Sequence, residues 1–239
     1  MNISEIKSQI LSEYKYRIET HSHTSPVSRC SVLKPDELVR IYKDSGYDAV
    51  TVTNHYIAAD CLRSSREEYN RAYLSDYYDA LNEGEKLGIK VILGAELCFT
   101  TAPNDYLVYG VDAADFDQIY DLMGKDYTDF YSGFAGKCDR LFIQAHPFRD
   151  RMVPTDFNYL DGIEVFNMHI NHNSRVAKAE KTALEHPELI ALGGSDAHEP
   201  PSCANGGILT RVLPEDSKQL ARIIKSRDFL MVIADKILL

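Results

Sequence analysis

Five separate apolar runs in this sequence each stop on a histidine, aspartate or glutamate, and that repetition sets what the chain can fold into. Residues 16–20 lead into His21-Ser22-His23, and residues 49–53 into Asn54-His55. Residues 89–93 lead into Gly94-Ala95-Glu96, residues 141–145 into His146-Pro147, and residues 190–192 into Gly193-Gly194-Ser195-Asp196-Ala197-His198. Residues 89–93 are continuously apolar, as in a strand buried on both faces, and the other runs read as short strands. Two more occur at residues 106–109 and 162–166. Between them the apolar spacing becomes helical. The predicted helices cover 35–46, with Pro35 in the first turn and Gly46 as C-cap, and then 64–87, 115–123, 175–185 and 216–226.

Strands alternating with helices imply an α/β fold on a parallel sheet, with the polar clusters at the carboxyl ends of the strands, where such folds place their sites. No G-x-G-x-x-G follows the first strand and no G-x-x-x-x-G-K-[ST] occurs, so the pattern favours a barrel-like fold over a dinucleotide-binding one and supports no nucleotide cofactor. The 239 residues contain no Pro- or Gly-rich linker, so a single domain over 1–239 is expected.

Acidic residues outnumber basic ones 36 to 26, a formal charge of -10. Such a surface repels phosphate backbones, which argues against long nucleic acid but leaves room for a small phosphorylated substrate held by local cations. No apolar run reaches membrane-spanning length and the first fifteen residues are polar, so a cytoplasmic protein without membrane contact is expected. Cys30, Cys61, Cys98, Cys138 and Cys203 are odd in number, scattered and without a C-x-x-C pair, which predicts reduced thiols and excludes a zinc ribbon.

In an extended segment residues i and i+2 point the same way, so His21 and His23 can face one metal ion. Alone, an H-x-H is a weak signal. Four further strand ends present a donor, and the last again places two, Asp196 and His198, at i and i+2. Imidazoles mixed with carboxylates suit zinc, manganese or iron better than magnesium or calcium.

The motifs H-x-H, T-x-H, G-x-E, A-H-P and G-S-D-A-H, in this order between residues 17 and 207, resemble those of the PHP family, the polymerase and histidinol phosphatase superfamily of metal-dependent phosphoesterases. The resemblance implies a distorted (β/α)7 TIM-like barrel with two or three divalent metal ions at the carboxyl ends of its strands. His21 and His23 match the first motif, His55 the second, Glu96 the bridging glutamate, His146 the A-H-P histidine, and Asp196 and His198 the last, with Asp196, His198 and His55 also implied in catalysis. Asp105 is the nearest match to a further ligand ahead of the next strand. Family members usually carry one more His or Asp five or six residues after the second histidine, where this chain has Ser28 and Arg29. The third metal position, to which His55 and His198 would belong, is therefore short of a ligand.

On this reading Glu96, His21, His23 and Asp196 hold one ion, and Glu96, His146 and Asp105 a second. Paired metal ions lower the pKa of a water, align it for in-line attack and stabilise the leaving oxygen. They also make the pocket floor positive within an acidic protein. Arg29 and Arg149, and with less support Arg175, are candidates to grip phosphate, Arg29 standing in for a third ion. His172 and its neighbour His169 follow the 162–166 strand and could contact the substrate or protonate its leaving group. Tyr56 could line the pocket, whereas Tyr69, Tyr73, Tyr77 and Tyr78 at near-helical spacing read as packing, and His186 as a helix-end residue. The expected activity is phosphoric ester hydrolysis of a small phosphomonoester through a metal-activated water. Alternatives are a histidinol-phosphate phosphatase, a nucleotide phosphatase or short-oligonucleotide exonuclease and, from another class, a PHP scaffold that binds metal without turnover. The sequence assigns no oligomeric state.

Overall fold

The computed structural model describes residues 3–137, 139–234 and 236–238. Helix α1 (Ile3–Glu13) precedes β1 (Tyr16–Ser22), α2 (Pro35–Asp44), β2 (Ala49–Val52) and β3 (His55–Ile57). A short α3 (Ala58–Cys61) and the long α4 (Arg66–Leu87) lead to β4 (Lys90–Leu93), β5 (Ala95–Cys98) and β6 (Asp105–Tyr109). Then come α5 (Asp115–Leu122), α6 (Tyr127–Phe130), β7 (Leu141–Gln144), β8 (Gly162–Asn167), α7 (Val176–Glu185) and β9 (Ile190–Gly194). The chain closes with β10 (Gly206–Thr210), α8 (Ser217–Ser226), β11 (Phe229–Ile233) and β12 (Lys236–Leu238).

Local chemistry explains the predicted helices. Helix α2 starts on Pro35 with Asp36 and Glu37 in its first turn, where acids complement the helix dipole, and it buries Leu38, Val39 and Tyr42. Helix α4 begins two residues later than its polar run suggests, because Ser65 and Glu68 form a reciprocal capping box, and it ends on Gly88 in the left-handed conformation.

The fold is mixed α/β, but hydrogen bonding divides the described strands into two six-stranded sheets instead of one parallel ring. The first runs β12-β11-β10-β1-β2-β4 and the second β3-β5-β6-β7-β8-β9. Pairs β1–β2 and β2–β4 are parallel, as are β3–β5, β7–β8 and β8–β9, while β1–β10, β10–β11 and β11–β12 in the first sheet and β5–β6 and β6–β7 in the middle of the second are antiparallel. The expected closed barrel is thus interrupted among the described residues. At one seam β4 runs on through Gly94 into β5 of the other sheet, and at another a lone Ser22–Ala197 bridge spans the gap. Both sheets nonetheless share an interior. One core cluster combines Ile18, Ile92 and Ile208 of the first sheet with Leu107, Ile143 and Leu192 of the second, together with Leu220 and Ile224 of α8.

Two strand ends therefore differ from expectation. His55 opens β3 instead of closing β2, and Glu96 lies inside β5. Among the described residues no helix is long and apolar enough to cross a membrane. Cys30, Cys61, Cys98 and Cys203 are free thiols, and Cys138 lies outside the described residues.

Candidate metal centre

Strand alternation builds the site from β1 outward. His21 and His23 turn to one side and are wholly buried, while Ser22 between them turns away and donates to the Thr51 carbonyl at 2.7 Å. Parallel pairing of β3 with β5 sets His55 directly beside Glu96. His146 and Asp196 arrive on backbones at φ +29° and +51°, a region that costs a non-glycine residue about 1–3 kcal/mol and that clusters at functional sites. The surroundings fix both bends. His146 donates its backbone N–H to Glu164 Oε2 at 3.0 Å, and Ser195 donates its own to Glu19 Oε1 at 2.9 Å.

The donors converge on Glu96. Its Oε1 lies 3.1 Å from His146 Nε2 and 3.4 Å from His21 Nε2, while Oε2 lies 2.8 Å from His55 Nδ1 and 3.3 Å from His23 Nε2. Asp196 Oδ1 stands 3.3 Å from His23 Nε2 and 3.4 Å from both His21 Nε2 and His198 Nδ1. Asp105 Oδ2 is 3.9 Å from His146 Nε2. Glu96 Oε2, Asp196 Oδ1 and His146 Nδ1 are buried without a hydrogen-bond partner, a costly state unless a cation occupies the point they face. Four triads each bring one donor atom per residue within 4.8 Å of one another: His21, His23 and Glu96; Glu96, Asp105 and His146; His23, His55 and His198; and His169, Asp196 and His198.

The imidazoles make the same point. His21 Nδ1 is 2.9 Å from Glu164 Oε1 and His23 Nδ1 3.2 Å from Ser28 Oγ, so each ring can give its Nδ1 proton outward and keep an Nε2 lone pair for the interior. The two Nε2 atoms then face each other at 3.0 Å, repulsive unless a proton or a metal ion lies between. Burial lowers His21, but Glu164, Asp196 and Glu96 outweigh it and raise it well above the usual imidazole range. Burial, with His198 and His55 beside it, drives His23 well below that range. Burial raises Glu96 and Asp196, yet the neighbouring histidines, and Arg149 for Asp196, hold both well below the usual carboxylate range. The donor set fits divalent cations: two ionised carboxylates and several imidazoles around buried, unpaired lone pairs.

The structure thus gathers His21, His23, His55, Glu96, Asp105, His146, Asp196 and His198 at one place. Their supports include residues absent from the sequence reading. Glu164 holds both His21 and His146, and Asn167 donates to Glu164 Oε2 at 2.9 Å and to Asp196 Oδ2 at 3.0 Å. Glu19 accepts from the His21 and Ser195 backbones and from Tyr42. A charge in the middle of the apolar run Gly162–Asn167 is the signal that would have exposed Glu164.

A cleft of about 530 Å³ opens over the cluster and takes in Asp105, Arg149, His169, His172 and His198. Arg149 donates to Asp196 and to Asn167 Oδ1, so it secures a candidate ligand while bordering the cleft. The His172 ring lies 4.5 Å from that of His169. Burial lowers His172, and brings His169 down to about 4. His169 Nδ1 accepts from the Asn171 backbone at 3.1 Å, which leaves its proton on Nε2.

The ligand-short loop differs from expectation. Ser28 is buried against His23, and its hydroxyl donates to Asn54 Oδ1 at 2.8 Å and accepts from the His55 backbone at 3.0 Å, a positioning arrangement. Arg29 is 73% exposed and its guanidinium pairs with Asp60, because the loop turns that side chain outward. The next residue, Cys30, is exposed along the wall of the cleft. Burial raises its thiol, but hydrogen bonds with His198 and His55 bring it down to about 6. Tyr56 does not line the pocket, since its hydroxyl donates to Asn70 inside the aromatic core. Arg175 is tied to Phe148 O and Asp150, and His186 to Glu188.

A buried cluster of imidazoles around two carboxylates, carried on the strands of an α/β fold, is a donor set suited to divalent metal ions. The PHP domain family matches residues 19–194, and the chain belongs to that family. It is similar to a two-domain protein of Bacteroides vulgatus containing a predicted PHP-like metal-dependent phosphoesterase, with a TM-score of 0.61, 17% identity and coverage of 93% of this chain and 66% of that one. It is also similar to a candidate metal-dependent phosphoesterase of Bifidobacterium adolescentis, with a TM-score of 0.52, 15% identity and coverage of 87% and 95%. In sequence it is 24% identical over 147 residues to the PolC-type DNA polymerase III of Oceanobacillus iheyensis, a match covering 52% of this chain and 9% of the polymerase.

Proposed function

We propose that the protein is a metal-dependent phosphoesterase that hydrolyses a small phosphomonoester. The observation that carries this reading is Glu96, a wholly buried carboxylate whose two oxygens face different imidazole groups, one of them without a hydrogen bond. A carboxylate so placed is suited to bridge two cations. His21, His23 and Asp196 would complete one metal position, and His146 with Asp105 the other. Bound there, divalent ions would supply a water activated at neutral pH and a positive field for the phosphoryl oxygens.

The chain's own groups do the rest. Glu164 and Ser28 fix the His21 and His23 rings by accepting their Nδ1 protons. Arg149 keeps Asp196 oriented and presents a guanidinium at the cleft, where it can share a phosphate oxygen. His169 and His172 are held neutral, so they meet the substrate as hydrogen-bond donors, one of them at the leaving oxygen. A cleft near 500 Å³ matches the usual size of small-ligand sites. The two sheets with their common interior are, on this reading, the family's distorted barrel opened at two seams. A small substrate, no long nucleic acid and a cytoplasmic setting go with the proposal.

The test is elemental analysis of purified protein combined with a screen of sugar, amino-alcohol and nucleotide phosphates under manganese or zinc, with Glu96→Gln as control. Turnover that disappears in the variant is expected. No bound transition metal and no rescue by either ion would sink the reading, while bound metal with no cleavage of p-nitrophenyl phosphate would favour the scaffold.

A further inference from the structure

Strand β1 loses its regular pairing just where the donors begin. Its ladder with β10 ends at Ile18, and its register with β2 slips between Glu19 and Ser22. A bulge of this kind re-aims a side chain and leaves backbone N–H groups outside the ladder. Glu19 collects them. Its carboxylate is wholly buried; Oε1 accepts the N–H of Thr20 at 3.0 Å and of His21 at 2.9 Å, and Oε2 accepts the hydroxyl of Tyr42 on α2 at 2.7 Å.

The same carboxylate reaches across the seam between the sheets, since β1 belongs to the first and β9 to the second. Backbone hydrogen bonds span that seam from His23 to the Ala197 carbonyl at 2.9 Å and from Ala197 to the His21 carbonyl at 3.3 Å. One step earlier side chains take their part. Thr20 Oγ1 donates to the Gly193 carbonyl at 2.7 Å, and Ser195 donates its N–H to Glu19 Oε1 at 2.9 Å. On one bank stand His21 Nε2 and His23 Nε2, and on the other Asp196 Oδ1, 3.4 Å and 3.3 Å away. A metal position built from these three straddles the seam, and a single oxygen of Glu19 holds the backbone at or next to a ligand on each bank.

We infer that Glu19 is a positioning residue that sets the spacing of His21 and Asp196 across the seam, and with it the affinity of the metal position they share with His23. Glu19 touches no reacting atom and acts through the two backbones. Glu96, Asp105 and His146, by contrast, are all carried by or directly follow β5, β6 and β7 of the second sheet. Their position does not cross the β1–β9 seam and is independent of Glu19. This inference rests on the metal-centre reading above.

The experiment is a manganese(II) titration of the full-length protein stripped of metal by chelation, with the free ion counted by electron paramagnetic resonance. Asp196→Asn and His146→Gln identify which ion is which. Expected is that Glu19→Ala weakens one ion at least about ten-fold and leaves the other within about two-fold. That loss persists in the His146→Gln background and adds nothing to Asp196→Asn. Glu19→Gln keeps Oε1 as an acceptor and should hold both ions within about two-fold of the wild type. Tyr42→Phe, which frees only Oε2, should weaken the same ion at least about three-fold, and it carries the test if Glu19→Ala does not fold. Equal weakening of both ions or of neither in Glu19→Ala, Glu19→Gln as weak as Glu19→Ala, or Tyr42→Phe at wild-type affinity overturns the positioning role and leaves the metal-centre reading standing. A wild type that binds no manganese overturns both.

Discussion

The Nε2 atoms of His21 and His23 lie 3.0 Å apart, and the same surroundings raise the first ring's pKa and lower the second's. In the metal-free protein His21 holds a proton that its Nε2 can share with His23, at the place a cation would take. Metal must displace that proton. His21 is raised, so its proton becomes harder to remove as pH falls; Glu96 and Asp196 are lowered and stay ionised throughout. Metal affinity should therefore rise with pH across the neutral range, approaching ten-fold per pH unit for each proton released. Calorimetry in buffers of different ionisation enthalpy checks this, and binding without proton release would contradict it.

Glu96→Gln keeps the shape of the side chain but removes the shared charge. The variant should bind at least one metal equivalent fewer and lose at least about 100-fold in kcat/KM, or about 2.7 kcal/mol of transition-state stabilisation. Elemental analysis beside steady-state kinetics measures both. An unchanged metal count would remove Glu96 from its bridging place.

Glu164 is a positioning residue, since it acts through His21 and His146. Glu164→Gln should lower metal affinity about 10–100-fold with the fold intact, and raising metal concentration should restore turnover. A loss of kcat that excess metal does not repair would assign Glu164 a direct part in the chemistry.

Arg149 and Arg29 separate two readings of how phosphate is gripped. Arg149→Ala should raise KM at least about ten-fold and also lower metal affinity, because Asp196 loses a partner. Arg29→Ala, which removes only an exposed pair with Asp60, should leave KM within about three-fold. A large KM effect at Arg29 would return it to the site.

Gly194 packs where no side chain fits. A Cβ there would lie 2.7 Å from His21 Cβ and 2.8 Å from Thr20 Oγ1. Gly194→Ala should destabilise the protein by about 1–3 kcal/mol and weaken metal binding by pushing His21 aside. Denaturant unfolding with metal titration tests it, and a variant as stable as the parent would show that β1 can yield.

Much of the donor set was legible because extended chain has a period of two. Once residues 16–20 read as a strand, His21 and His23 had to share a side, and Asp196 with His198 repeated the spacing. The division into two sheets was not legible. It depends on where neighbours pair, and nothing local in the run through Gly94 announces that β5 leaves the sheet of β4. Antiparallel β10 to β12 escaped for a related reason, since they carry no donors and follow the last motif. Glu164 was missed because it looks ordinary in sequence, a charge within a strand. Only the approach of His21 gives it a role.

The passage of β4 straight through Gly94 into β5 has a kinetic consequence. Glu96 rides on a segment stitched into both sheets, β4 to β2 on one side and β5 to β3 and β6 on the other. Fraying at one edge leaves the other ladder intact, so its amides should exchange with solvent only when most of the molecule opens. The Glu96 carboxylate thus keeps its place through any local opening that reaches only one edge.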